Sequence, residues 1–118
     1  MEDIINLQRK IINLQIFFSI ILAFIIIGAV MNFLVITNNG GRMPVLDSFK
    51  YVSETHFSYQ DNSEIEFPQF SDKLALGRII FSIGDLIMFL GLFFLIVFSI
   101  LLIYYHWRLK KLYREWGI

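Results

Sequence analysis

The chain has 118 residues, 57% hydrophobic and 17% aromatic, with a mean hydropathy of +0.65. So much apolar side chain leaves too little polar surface to clothe a soluble domain of this size. Ten basic and ten acidic residues cancel, so there is no electrostatic footprint for nucleic acid. The absence of cysteine excludes a disulfide framework and thiolate metal sites.

Residues 1–15 read as the start of an amphipathic helix on the cytoplasmic side. Ile4, Leu7, Ile11 and Leu14 recur at spacings of three and four, which puts them on one helical stripe. Residues 16–36 contain no charge, and a helix of that length measures about 31 Å, close to the hydrocarbon thickness of a bilayer. Arg9 and Lys10 precede this run as the basic region of a signal peptide would. The run is longer than the apolar part of such a peptide, however, and Ile36-Thr37-Asn38-Asn39 has no small-x-small cleavage site. The segment is therefore expected to be a retained first transmembrane helix. Ser19 and Ala23 give it a patch of small residues suited to close helix packing.

Residues 37–78 form an extracytoplasmic loop, net acidic through Asp47, Glu54, Asp61, Glu64, Glu66 and Asp72. The loop opens on Asn38-Asn39-Gly40-Gly41-Arg42-Met43-Pro44-Val45. Its glycines permit backbone angles closed to other residues, and Pro44 is placed to start a short helix over 45–51. Phe57 and Tyr59 alternate with polar residues, as do Ile65 and Phe67, around the turn cluster Asp61-Asn62-Ser63. That pattern predicts a small β-hairpin, cut short by Pro68.

A second transmembrane helix is expected over 79–105, of which 86–105 is uncharged and about 30 Å long as a helix. It ends in an aromatic belt and basic cluster, Tyr104-Tyr105-His106-Trp107-Arg108-Leu109-Lys110-Lys111, the usual mark of a cytoplasmic interface. Residues 106–118 continue as a basic cytoplasmic tail. In it Trp107, Arg108, Lys110 and Lys111 sit at the membrane surface, and Tyr105, Leu109, Leu112 and Trp116 form a second apolar stripe. The two stripes either pack on each other or dock a partner or the membrane surface. The fold class is thus an all-α membrane protein: a two-helix hairpin in the plasma membrane of a prokaryote, both termini inside.

Asp85, in Phe81-Ser82-Ile83-Gly84-Asp85-Leu86-Ile87, is the one charge within an apolar span, and such a group is costly unless it is paired or interfacial. Ser82-x-x-Asp85 has the form of a capping box, with Ser82 opening the helix and Asp85 reaching back. Asn32 and Asp85 each lie about one turn inside the outer end of their span, with Arg42 on a glycine-flexed loop above. An outer-interface polar cluster of Asn32, Arg42 and Asp85 follows, serving either as a clasp or as a binding site. Gly77, Gly84, Gly91 and Ser99 recur at seven and eight residues, a small-residue face for packing within the hairpin or against another subunit. His56 and His106 are isolated, no metal-ligand spacing or catalytic motif occurs, and neither a metal nor a cofactor is expected.

The segments Asn39-Gly40-Gly41-Arg42-Met43-Pro44-Val45 and Phe81-Ser82-Ile83-Gly84-Asp85, with Asn32-Phe33-Leu34-Val35-Ile36 before them, resemble an uncharacterised family of prokaryotic integral membrane proteins. The resemblance covers about half the chain and implies that it corresponds to the C-terminal part of longer proteins with further helices ahead. It marks residues without implying a reaction. A weaker likeness to lipoprotein signal peptidase implies an aspartyl hydrolase in which Asp47 and Asp85 would form the carboxylate pair, although Gly84 and Ser82 depart from that motif.

Three functions are compatible with these features. The first is a small non-catalytic membrane subunit or scaffold that packs, in the lipid bilayer, with other membrane proteins or with itself. The second is a homo-oligomeric pore or ion pathway lined by Asp85. The third is the membrane hydrolase.

Overall fold

The computed structural model describes residues 1–49 and 53–118. Two long apolar helices pack together as a hairpin, α1 (Glu2–Asn38) and α2 (Ile83–Glu115). Between them lie four short strands: β1 (Met43–Leu46), β2 (His56–Tyr59), β3 (Leu74–Leu76) and β4 (Ile79–Phe81). Both helices are long and apolar enough to cross a membrane. Only 11% and 6% of the residues in their most apolar stretches are buried, so neither is the enclosed core helix of a soluble domain. Contacts divide the chain into two compact units, one of Met1–Ala23 with Gly91–Ile118 and one of Phe24–Leu90.

In the first unit, Ile4, Leu7 and Ile11 are buried, and Phe17 stacks on Phe98 with ring centroids 6.1 Å apart. The Gln8 amide donates to the Tyr113 hydroxyl at 2.8 Å, and the Lys10 ammonium lies 5.8 Å from the Tyr105 ring centre. The N-terminal stripe thus lies among residues of the α2 tail. Trp116, expected at the end of the matching stripe, is 58% exposed. It falls beyond the last helical residue, where the chain turns through Gly117 at φ 69°.

The second unit corrects the expected loop in three places. First, the predicted short helix over 45–51 does not form in its described part. Val45 and Leu46 belong to β1, Asp47–Phe49 is a single 3₁₀ turn, and residues 50–51 lie outside the described residues. Second, Phe57 and Tyr59 do not pair with Ile65 and Phe67. Strand β2 instead pairs parallel with β1, Pro44 opposite Phe57 and Leu46 opposite Tyr59. The local reason is that 61–70 is folded into two 3₁₀ turns. Asp61 and Glu64 close a capping box on the first, while Phe67 at φ 55° and Pro68 open the second, so no extended run survives.

Third, α2 begins at Ile83, and residues 79–81, expected inside the second span, are strand β4. Gly77 at φ 61° reverses the chain, so that β4 pairs antiparallel with β3, Leu74 opposite Phe81. The hairpin expected around Asp61-Asn62-Ser63 is therefore absent, and the β3–β4 hairpin lies in a segment where none was expected. Met43, Pro44, Val45, Tyr59, Ile65 and Ser71 are buried in this unit, with Asp72 joined to β1 as a single parallel bridge to Val45.

Candidate functional site

The link from α1 into β1 is set by two glycines. Gly40 and Gly41 have φ of 70° and 78°, a left-handed pair that a β-carbon would strain, and the Gly41 N–H returns to the Ile36 carbonyl at 2.9 Å. Asn39 fastens this turn to the loop. Its amide donates to the carbonyls of Val35 (2.7 Å) and Glu66 (2.8 Å), and its side-chain oxygen accepts from the Glu66 N–H at 3.0 Å. Met43 and Pro44, which complete the motif, are buried.

At the start of α2 the capping geometry is closed in both directions. The Asp85 N–H donates to Ser82 Oγ at 3.1 Å, and the Ser82 N–H donates to Asp85 Oδ2 at 3.1 Å. Asn32 of α1 enters the same network, donating from Nδ2 to Asp85 Oδ1 at 2.7 Å and accepting from Ser82 Oγ at 2.7 Å. Each of the three side chains therefore satisfies the other two, and both carboxylate oxygens of Asp85 are engaged. Ser82 has no exposed surface.

Glycine makes this closeness possible. A β-carbon on Gly84 would fall 2.7 Å from the Gly28 carbonyl oxygen and into the Asn32 side chain. One on Gly28 would fall 2.6 Å from the Gly84 carbonyl. The two backbones thus touch at Gly28 and Gly84, next to the Asn32–Ser82–Asp85 network. Of the other expected packing residues, Gly91 is buried and Ser99 is half-buried, its hydroxyl donating to the Leu95 carbonyl of its own helix at 2.7 Å. Gly77 is in the β3–β4 turn, not on the helix. Ser19 and Ala23 are exposed and take no part in the Gly28–Gly84 contact, which leaves for them the other expected role, packing against another subunit. At 100° per residue, Ser19 is half a turn round α1 from Gly28.

Arg42 does not join Asn32 and Asp85. Its Nη2 donates to the carbonyls of Ser53 (2.9 Å) and His56 (2.6 Å), and its guanidinium lies 5.7 Å from the Phe57 ring centre. Because Gly40 and Gly41 turn the chain into β1, Arg42 is carried to the head of the β1–β2 pair and holds the bend that leads into β2. Asp47 is also apart from the network, accepting from Gln60 Nε2 at 3.3 Å.

A second acidic group in the same unit, Asp72, is buried apart from this network. It is 3% exposed, its Oδ2 is 3.4 Å from His56 Nε2, and its Oδ1 is buried without a hydrogen-bond partner. Burial pushes its carboxyl up to about 6, and the nearby charge of Asp85 adds to the effect. A cleft of about 250 Å³ opens beside it, lined by His56, Asp72, Arg78, Ile79 and Ile80. This grouping is barely legible in the residues, since His56 and Asp72 stand apart in the chain and meet only through the β1–β2 pairing and the Val45–Asp72 bridge. Among the described residues, no three His, Cys, Asp or Glu side chains are grouped to hold a metal ion.

In the other unit, the basic residues Trp107 precedes, Arg108, Lys110 and Lys111, are exposed, as is Trp107 itself. Lys111 approaches Glu115 at 3.8 Å on the same helix. Arg108 and Lys10 line a shallow groove with Asp3, Asn6, Leu7 and Leu112.

The class defined by these features is a hairpin of two long apolar helices, joined at a glycine contact by a closed polar network and connected by a small strand-bearing segment. Within that class the chain belongs to the family described as "Family of unknown function (DUF5317)", whose model matches residues 4–97. No curated protein and no solved structure matches it.

Proposed function

We propose that the chain is a two-pass protein of the prokaryotic plasma membrane, with both termini cytoplasmic and the strand-bearing loop between the helices outside. The outer segment in this proposal is the whole connection between the helices, residues 39–82, and the protein acts as a small non-catalytic subunit or scaffold that packs with partner membrane proteins or with copies of itself. The observation that carries the proposal is the outward face of α2. Phe89, Phe93, Ile96, Ile100, Ile103 and Trp107 are 58–71% exposed and recur at spacings of four and three, a seam of the kind that packs against another helix. The engagement of Asp85 by Asn32 and Ser82 supports the same reading. A carboxylate with both oxygens occupied is poorly placed to line a pore or to pair with Asp47 in hydrolysis.

Purification in mild detergent tests this. A subunit elutes in a complex of fixed stoichiometry, and Phe93→Ala with Ile100→Ala releases the chain from it while leaving the helix content unchanged. Recovery of the unaltered chain only as a monomer contradicts the proposal.

A further inference from the structure

The cleft beside Asp72 holds two opposite charges that do not meet. Asp72 is almost wholly buried, and its Oδ1 faces no donor. Arg78 lines the same cleft, is exposed, and forms no hydrogen bond or ion pair among the described residues. A buried carboxylate oxygen without a donor is costly, so such an atom calls for a partner. A metal ion would find too few ligands there, with one carboxylate, one imidazole and a guanidinium that repels it. A simple anion would be repelled by Asp72, and a simple cation by Arg78. A zwitterion satisfies both groups.

We propose that this cleft binds a primary ammonium joined to a phosphate, the ammonium meeting the Asp72 carboxylate and the phosphate receiving the Arg78 guanidinium, as in an aminophospholipid headgroup. The volume of about 250 Å³ suits a headgroup and lies below the usual range of drug-sized pockets. The surroundings favour a lipid as the source. Leu76 and Ile79, on either side of Gly77 and Arg78 at the tip of the β3–β4 hairpin, are 72% and 64% exposed, and β4 ends only one residue before α2 begins. A hairpin with apolar flanks and a central arginine sets its side chains in the acyl region and its guanidinium at the phosphates. The lipid source rests on the two-pass membrane proposal, whereas the headgroup chemistry does not.

The test is native mass spectrometry of the full chain in detergent micelles holding equal phosphatidylethanolamine and phosphatidylcholine with identical acyl chains. The quaternary ammonium of choline cannot donate to Asp72. Retention of phosphatidylethanolamine over phosphatidylcholine by about tenfold is expected, as is loss of that preference in Asp72→Asn and Arg78→Gln. Arg78 is exposed, so its replacement leaves the fold alone. Displacement of the lipid by free phosphoethanolamine assigns recognition to the headgroup, and failure of displacement with the preference intact assigns it to the whole lipid. Equal retention of the two lipids overturns the proposal. If the chain instead proves soluble without detergent, the membrane proposal fails, and titration with phosphoethanolamine still decides the site.

Discussion

The two units hold their helices by different means. In the unit of Phe24–Leu90, backbones touch at Gly28 and Gly84, and Asn32, Ser82 and Asp85 satisfy one another beside that contact. In the unit formed by the chain ends, larger side chains do the work: a buried stripe of Ile4, Leu7 and Ile11, and the Phe17–Phe98 stack. In lipid, apolar side chains gain little by leaving one oily environment for another, so close approach and hydrogen bonds must hold helices together. In water, burial of leucine and isoleucine suffices. Under the two-pass proposal, the stripe of Ile4, Leu7 and Ile11 lies on the part of α1 that extends past the uncharged run, where burial of this kind is effective.

This comparison can be broken first at its tightest point. Gly84→Leu should be the most damaging single change, about 3 kcal/mol, because its side chain meets the Gly28 carbonyl and the Asn32 side chain and neither can move aside cheaply. Unfolding of the detergent-solubilised protein by a graded denaturing surfactant measures it. In the terminal unit, Leu7→Ala should cost about 2 kcal/mol by the same assay, in line with truncation of a buried leucine. A negligible effect there would mean that lipid, not protein, surrounds the stripe.

The loop side of the comparison is sharpened by pH. Asp72 holds its proton more tightly folded than unfolded, with its carboxyl at about 6 against a reference of 3.8. The folded state therefore binds more protons between these values, and this group's contribution to stability falls as pH rises from 3.8 to about 6. The loss is on the order of 3 kcal/mol and is complete above that window. Asp72→Asn should flatten this part of the pH profile, measured by unfolding at intervals across it. The smallest expected effect is the coupling between Asn32 and Asp85. A double-mutant cycle with alanine at each should give about 1 kcal/mol, the scale of hydrogen bonds between helices in membranes.

Much of the helical frame was legible in the residues, because an uncharged run such as 16–36 or 86–105 has few alternatives to helix. The stripe from Ile4 to Leu14 extended α1 toward the N-terminus on periodicity alone. Equal depth in antiparallel helices brought Asn32 and Asp85 together, and Ser82 was visible as a cap. Ser82's bond to Asn32 was not, since it depends on how close Gly28 and Gly84 let the helices come.

The loop was harder because its pairings are not local. Strand β2 adds to β1 across a connection that no turn signal announces, and Phe67 and Pro68 break a segment whose alternation looked extended. Arg42 was misplaced for a related reason, since the direction in which Gly40 and Gly41 send the chain is not written in their identities. Asp72 gave no signal at all, being one of several loop carboxylates until the fold buries it.

The central claim, a hairpin in lipid with both ends inside, is tested most directly by single cysteines placed in this cysteine-free chain at exposed Gln69, Phe93 and Lys110. Labelling of intact cells with a membrane-impermeant maleimide should mark Gln69→Cys alone. Lys110→Cys should react only after the membrane is opened, and Phe93→Cys only after denaturation. Labelling of Phe93→Cys by aqueous reagent in the native protein would contradict the account.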